Sequence, residues 1–185
     1  MKFLLTLFTC CISLITSAQS KDEEFAGAGT WRLPSIPTQI GEIVYADTIT
    51  LAGYTQKRLL TNAKDWIKYN LDKEGKQTKV DTGNGIISGT GNIDYKQGTM
   101  SGDAARQIKF QYVITTKNGS YAYKLTDINA AAGNTSIIFS DMYNEAKSRG
   151  QQEGKWTAQS RYETLSDMHS YITLLIAGLR EAMLK

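Results

Sequence analysis

Three features of the amino-acid sequence predict an α+β domain. Short runs of β-branched and aromatic residues alternate at period two, an amphipathic helix lies among them at Thr55 to Leu71, and a longer one closes the chain. The predicted order is β-α-β-β-β-β followed by a long C-terminal helix.

The central helix is the best specified element. Leu59, Leu60, Ala63, Trp66, Ile67 and Leu71 recur at three- and four-residue spacing, as a single buried face requires, while Lys57, Arg58, Lys64, Asp65 and Lys68 take the other face. Thr55 is a good N-cap, because its hydroxyl can accept from a first-turn amide, and Tyr54 is placed to staple against Leu59. The run from Leu71 to Gly75 closes the helix with a charged turn and a C-terminal glycine.

A first strand is predicted at Glu42 to Leu51, with Ile43, Tyr45, Ile49 and Leu51 on one face. Lys79 to Asp81 begins a short strand, and the turn Asp81-Thr82-Gly83-Asn84-Gly85 leads into Ile86 to Tyr95. There Ile87, Gly89, Gly91, Ile93 and Tyr95 share a face, and the two glycines leave a bare patch. Such a patch marks a bend or bulge, or a place where a ligand approaches the backbone closely. After a polar loop from Lys96 to Arg106, the run Gln107 to Thr116 alternates cleanly, with Ile108, Phe110, Tyr112 and Ile114 inward. The turn at Lys117-Asn118-Gly119 returns the chain as an antiparallel strand, Ser120 to Ile128, carrying Tyr121, Tyr123 and Leu125. Ser136 to Phe139 reads as a short extra strand and Asp141 to Ser148 as one or two helical turns. Ser160 and Glu163 then offer a capping box for the last helix, whose stripe is Tyr162, Leu165, Met168, Ile172, Leu175, Ile176, Leu179 and Met183. Counted from Ser160, that helix reaches about 38 Å at roughly 1.5 Å per residue.

The N-terminus reads as a secretory signal peptide. Lys2 precedes a largely apolar run from Phe3 to Ile15, and Thr16-Ser17-Ala18 supplies the small residues expected before a cut after Ala18. The run is too short to span a membrane, which takes about 20 apolar residues. Cys10 and Cys11 both fall inside it, so the mature chain is expected to lack thiol chemistry and disulfides, and lipid attachment is disfavoured by the short run before Cys10. The expected organisation is a signal peptide at 1–18, an extended arm or linker at 19–41, the α+β domain at 42–128, and a connector with the C-terminal helix at 129–185. Trp31 and Leu33 of the arm are candidates to dock on the domain.

Charge argues against a nucleic-acid surface. The chain carries 21 basic and 18 acidic side chains, one of the basic ones being Lys2, and the two signs are interspersed. Motif chemistry is weak. Asp81-Thr82-Gly83 matches the core of retroviral-type aspartic proteases, but Asn84 follows it and the surroundings are those of a turn. The lone histidine, His169, sits beside the apolar stripe of the last helix with no HExxH or GxSxG pattern, and reads as a hydrogen-bonded structural residue. No metal site, cofactor or catalytic residue is expected, and the spacing of Gly83, Gly85, Gly89 and Gly91 does not make a dinucleotide fingerprint.

The segments VYADTITLAGYTQKRLLTNAKDWI, IISGTGNI and IKFQYVITTKNGSYAYKLTDI together resemble an exported domain-of-unknown-function family of Bacteroidota that has a TATA-binding-protein-like (TBP-like) fold. The resemblance runs from about Glu42 to Ile128 and implies an antiparallel sheet with helices on one face, in an exported protein. It implies no activity, and a fold name does not make the protein a DNA binder. Asp47-Thr48-Ile49 also resembles a short O-glycosylation acceptor pattern of that bacterial group.

The expected function is an exported, non-enzymatic binding or interaction module of the cell envelope, whose partner is a small apolar ligand or another envelope protein. Tyr45, Gly89, Gly91, Tyr112, Tyr121 and Tyr123, with Tyr95, are the candidate lining of a groove. The alternatives are a hydrolase assembled from scattered Asp, Glu, Ser and Tyr residues, and a structural accessory domain whose terminal helix meets a partner through Tyr171 to Leu179.

Overall fold

The computed structural model describes residues 33–71, 78–97, 104–132, 135–149 and 155–185. The predicted signal peptide with Cys10 and Cys11, the acidic start of the arm, Trp31 and the Gly75 helix stop lie outside the described residues.

Among the described residues eleven elements follow in order: β1 (Thr38–Gln39), β2 (Glu42–Ile43), β3 (Tyr45–Thr50), α1 (Gln56–Asn70), β4 (Thr78–Asp81), β5 (Ile86–Gln97), β6 (Ala104–Lys117), β7 (Ser120–Ala132), β8 (Thr135–Ile138), α2 (Phe139–Arg149) and α3 (Lys155–Met183). Six strands form one antiparallel sheet in the order β3-β7-β6-β5-β4, with β8 also paired to β7; β1 and β2 make a separate small ladder. Helices cover one face. Ile108, Phe110, Tyr112 and Ile114 of β6 are buried there with Tyr121, Tyr123 and Leu125 of β7, Leu59, Ala63 and Ile67 of α1, and Leu165, Met168 and Ile172 of α3. The alternate residues Lys109, Gln111, Val113 and Lys124 are exposed on the other face.

Local chemistry explains the element boundaries. The Thr55 side chain accepts from the Arg58 amide at 3.3 Å and starts α1. Tyr54 packs against the core with the Arg58 guanidinium over its ring, and its hydroxyl donates to the Leu184 carbonyl at 2.7 Å, so the last residues of the chain are tied to the start of α1. Asn118, at the β6–β7 turn, accepts the Gln56 amide at 2.8 Å and gives the helix start a second cap from far along the sequence. Asp81 holds its turn by accepting from the Asn84 amide and side chain at 3.0 and 2.7 Å, and these bonds keep its carboxyl below the usual range. The Asp-Thr-Gly tripeptide is therefore turn structure.

Four expectations change. The irregularity of the sheet is not at Gly89 and Gly91, since β5 pairs with β4 and β6 in unbroken register. It lies in β7, where the register with β6 shifts between Lys109 and Gln111 and Asp127 takes φ 52°, a conformation that Asp tolerates better than branched residues. That extra residue moves the inward positions from Tyr121, Tyr123 and Leu125 to Ile128 and Ala130. The predicted loop at Lys96 to Arg106 is shorter, because Lys96 pairs with Ala105 and Gln97 with Ala104. The capping box at Ser160 does not form, since α3 begins at Lys155 and the Ser160 carbonyl accepts from the Thr164 hydroxyl inside the helix. The first predicted strand is divided at Val44, whose amide donates to the Pro37 carbonyl at 3.1 Å. The end of the arm is also part of the packing, with Ile36 buried and Leu33 against the core.

Candidate functional site

The residues that carry polar chemistry converge on the edge strand β3 and the helix that overhangs it. β3 runs antiparallel to β7, pairing Tyr45 with Leu125, Asp47 with Tyr123 and Ile49 with Tyr121. The side chains of Tyr45, Asp47 and Ile49 face the helical layer, where α3 supplies His169 and Arg180. These two positions are eleven residues apart, about three turns, so both lie on the flank of α3 nearest β3.

Two contacts fasten α3 to this edge. The Tyr45 hydroxyl and His169 Nδ1 are 2.7 Å apart, with the rings stacked at a centroid distance of 5.8 Å. Burial raises the Tyr45 hydroxyl well above its ordinary range, and Tyr143 adds to that; burial lowers His169. Farther along, Arg180 donates to Asp47 Oδ2 at 2.8 Å and to the Tyr123 hydroxyl at 3.2 Å, and these neighbours raise its already high pKa. Tyr121 beside them is pushed up to about 12, chiefly by burial and against the opposing pull of Arg180. The hydrogen bond expected of the lone histidine is thus made to Tyr45.

His169 gives folding stability a pH dependence. A histidine whose folded pKa lies below its unfolded value is neutral in the native state while the unfolded chain still binds protons. Stability from this group is full above about pH 6.5, the unfolded value, and falls as pH drops through the window between the two pKa values. The denaturation midpoint is expected to fall on acidification across that window, and His169→Phe should flatten the slope. An unchanged slope in the variant would assign it to other groups.

Tyr45, Tyr121 and Tyr123 are brought together at this edge, whereas Tyr112, Gly89 and Gly91 lie farther across the sheet on β6 and β5. Register places Gly89 between Tyr112 on one side and Thr78 on the other, and the Tyr112 hydroxyl reaches over it to Thr78 Oγ1 at 2.7 Å. The space beside Gly91 is filled by the Phe110 ring, against which any Cβ would clash. Tyr45, Tyr112, Tyr121 and Tyr123 are all buried, so their rings belong to the core, and the hydroxyls of Tyr45, Tyr112 and Tyr123 are engaged in polar pairs. Tyr95 lies on β5 opposite Arg106, and its side chain is outside the described residues.

Asp47, Thr48 and Arg180 have no place in the sequence-derived list of groove residues. Nothing local marks an arginine at 180 as the partner of an aspartate at 47, since the pair depends on α3 lying over β3. Their roles at the edge can be read from hydrogen bonding. In an antiparallel strand alternate residues direct both backbone groups to the same side. The Thr48 amide donates to Asp47 Oδ1 at 2.7 Å, so Ala46, Thr48 and Thr50 face away from β7. These three residues are exposed, and among the described residues β3 pairs only with β7. Asp47 thus covers one open backbone donor with one carboxylate oxygen while Arg180 holds the other oxygen. On α3, Asp167 is raised by burial and by Glu163 one turn away, a like-charge pair on a single helix. Among the described residues no group of three or more His, Cys, Asp or Glu could hold a metal ion, and no helix is long and apolar enough to cross a membrane.

Comparison with known proteins is consistent with this geometry. No curated protein matches the chain. A family model described as a domain of unknown function (DUF4468) with TBP-like fold matches residues 45–131. Two crystal structures are similar: a DUF4468 family protein from Bacteroides ovatus, at 13% identity and TM-score 0.65 over 80% of this chain and 90% of that one, and a TBP-like protein from Parabacteroides distasonis, at 14% identity and TM-score 0.62 over 81% and 97%. At such identities the likeness speaks to fold alone. The observed sheet with helices on one face and the matched span agree that the fold is TBP-like, and residues 45–131 are similar to the DUF4468 family model.

Proposed function

We infer that the protein is an exported, non-enzymatic interaction module of the cell envelope that engages its partner by strand addition along β3. The observation that carries the second half is the outer edge of β3, which among the described residues pairs only with β7. Ala46, Thr48 and Thr50 are exposed, their backbone groups face away from β7, and the Thr48 amide donates to the neighbouring Asp47 carboxylate. An edge of this kind takes an extended segment through main-chain hydrogen bonds. Export is supported by the apolar N-terminal run ending in Thr16-Ser17-Ala18. The bonds of Tyr45 to His169 and of Tyr123 to Arg180 leave both tyrosine hydroxyls serving the fold, which favours a surface role over a groove role.

The test is site-specific photo-crosslinking in the producing cell. A photoreactive side chain at Thr50 should give an adduct, and the same group at exposed Lys79 on β4 should not. The crosslinker-bearing protein itself should have the mass of a chain beginning at Gln19. Adducts from position 79 alone would reject the β3 assignment, and a crosslinker-bearing chain that keeps its first 18 residues in the cytoplasm would reject export.

A further inference from the structure

We propose that the strand seated on β3 is the β3 strand of a second copy, so that two sheets join edge to edge about a two-fold axis. This rests on the strand-addition reading and names its partner.

Only Ala46, Thr48 and Thr50 direct backbone groups outward, so an antiparallel self-pairing must set these residues against one another. Centred on Asp47, the pairing would place Asp47 opposite the partner's Asp47, two like charges in direct opposition, which is destabilising. Centred on Ile49, it leaves Ala46 outside the ladder. Centred on Thr48, all three outward residues pair: Ala46 with the partner's Thr50, Thr48 with the partner's Thr48, and Thr50 with the partner's Ala46. Asp47 then lies opposite the partner's Ile49, and no like charges meet. Thr–Thr opposition is itself a favourable cross-strand pair.

The cap on the edge is compatible with this exchange. When Thr48 turns its amide to its counterpart, Asp47 Oδ1 is released into solvent at a half-exposed position, while Oδ2 keeps its bond to Arg180. The carboxylate is not left buried or unpaired. The overhanging helix also leaves room. The β3-side flank of α3, marked by His169 and Arg180, carries Ser166, Ser170, Thr173 and Ala177, all exposed and all small. Two-fold edge pairing keeps the helical layers of both copies on the same side of the joined sheet, so the two α3 helices run alongside each other at these residues. A two-fold pairing satisfies each edge with the other and ends there, without propagating into a fibre.

The experiment compares sedimentation equilibrium of the full mature chain with two double variants at the exposed positions. Wild type is expected to be a dimer. Ala46→Lys with Thr50→Lys sets lysine against lysine at both ends of the pairing and should lose the dimer. Ala46→Lys with Thr50→Glu sets opposite charges in the same register and should restore it. Thr48→Pro removes the two central donors without touching the β7 ladder, and its circular dichroism should match wild type while dimerisation is lost. A wild-type monomer at every soluble concentration would overturn the proposal, as would a dimer that survives the double-lysine variant. If the wild type is monomeric while a crosslinker at Thr50 captures a different protein, only the identity of the partner fails and the strand-addition reading stands.

Discussion

Replacing Gly85 by alanine is expected to cost about 3 kcal/mol of folding free energy. Two causes add at this position. Its φ is +69°, in the left-handed region where a Cβ costs about 1–2 kcal/mol. The Cβ would also meet the Thr116 carbonyl oxygen at 2.5 Å and the Thr116 hydroxyl at 2.8 Å, with the Gln56 side chain closer still. The two Thr116 atoms are held in place by the strand and its hydrogen bonds. The Gly85 carbonyl accepts from the Thr116 amide at 2.8 Å and from its buried hydroxyl at 3.0 Å, and Gln56 Nε2 donates to the Thr116 carbonyl at 3.1 Å. This knot joins the β4–β5 turn, the end of β6 and the first turn of α1. Thermal unfolding should therefore drop by about 10 °C. A drop of only a degree or two would mean that the turn relaxes away from β6, and that the contact is not a fixed point of the fold.

Phe110→Ala is expected to cost about 3–5 kcal/mol, as removal of a buried aromatic does. The more discriminating result concerns its partner across the ladder. Gly91 is opposite Phe110, and the ring occupies the place a side chain at 91 would take. In the wild-type background Gly91→Ala should cost about 1–3 kcal/mol by overpacking. In the Phe110→Ala background the same change should become neutral or stabilising by about 0.5 kcal/mol, because alanine then enters vacated space and stiffens the strand. Denaturant midpoints of the four proteins complete the cycle. Additive effects would show that the ring does not fill the Gly91 site.

The periodic signals were legible because they are local. A helix or strand that buries one face must repeat its apolar residues at the period of its backbone, so Leu59 to Leu71 and Ile108 to Ile114 announce their inward faces without reference to anything else. The Asn-Gly turn after Lys117 and the Asp81 turn are similarly encoded in a few neighbouring residues. The β7 bulge was half legible: Leu125 and Ile128 are both apolar but out of phase, a break in period that the extra residue at Asp127 resolves. The sequence does not place the start of α3, because Ser160 offers a valid cap and the preceding residues from Lys155 also tolerate helix.

The candidate site was legible only in part, since burial alone does not say which atoms meet. Tyr45, Tyr121 and Tyr123 could be placed on inward faces, but that Tyr45 would find His169, and Tyr123 would find Arg180, follows from the path of α3 over β3. Gly89 and Gly91 read as open backbone because the sequence does not show that Tyr112 and Phe110 lie against them from the adjacent strand.

The sequence by itself determined the α+β class, the inward faces of α1, β6 and β7 and most of the turns, all through short-range periodicity and backbone preference. Tertiary structure alone decided that β3 pairs only with β7 among the described residues, that Asp47 and Arg180 meet at its outer side, and that the space beside the glycines of β5 is filled. Those outcomes depend on which strands are neighbours and where a helix from the far end of the chain comes to rest, and contacts across more than a hundred residues leave no local pattern from which to read them.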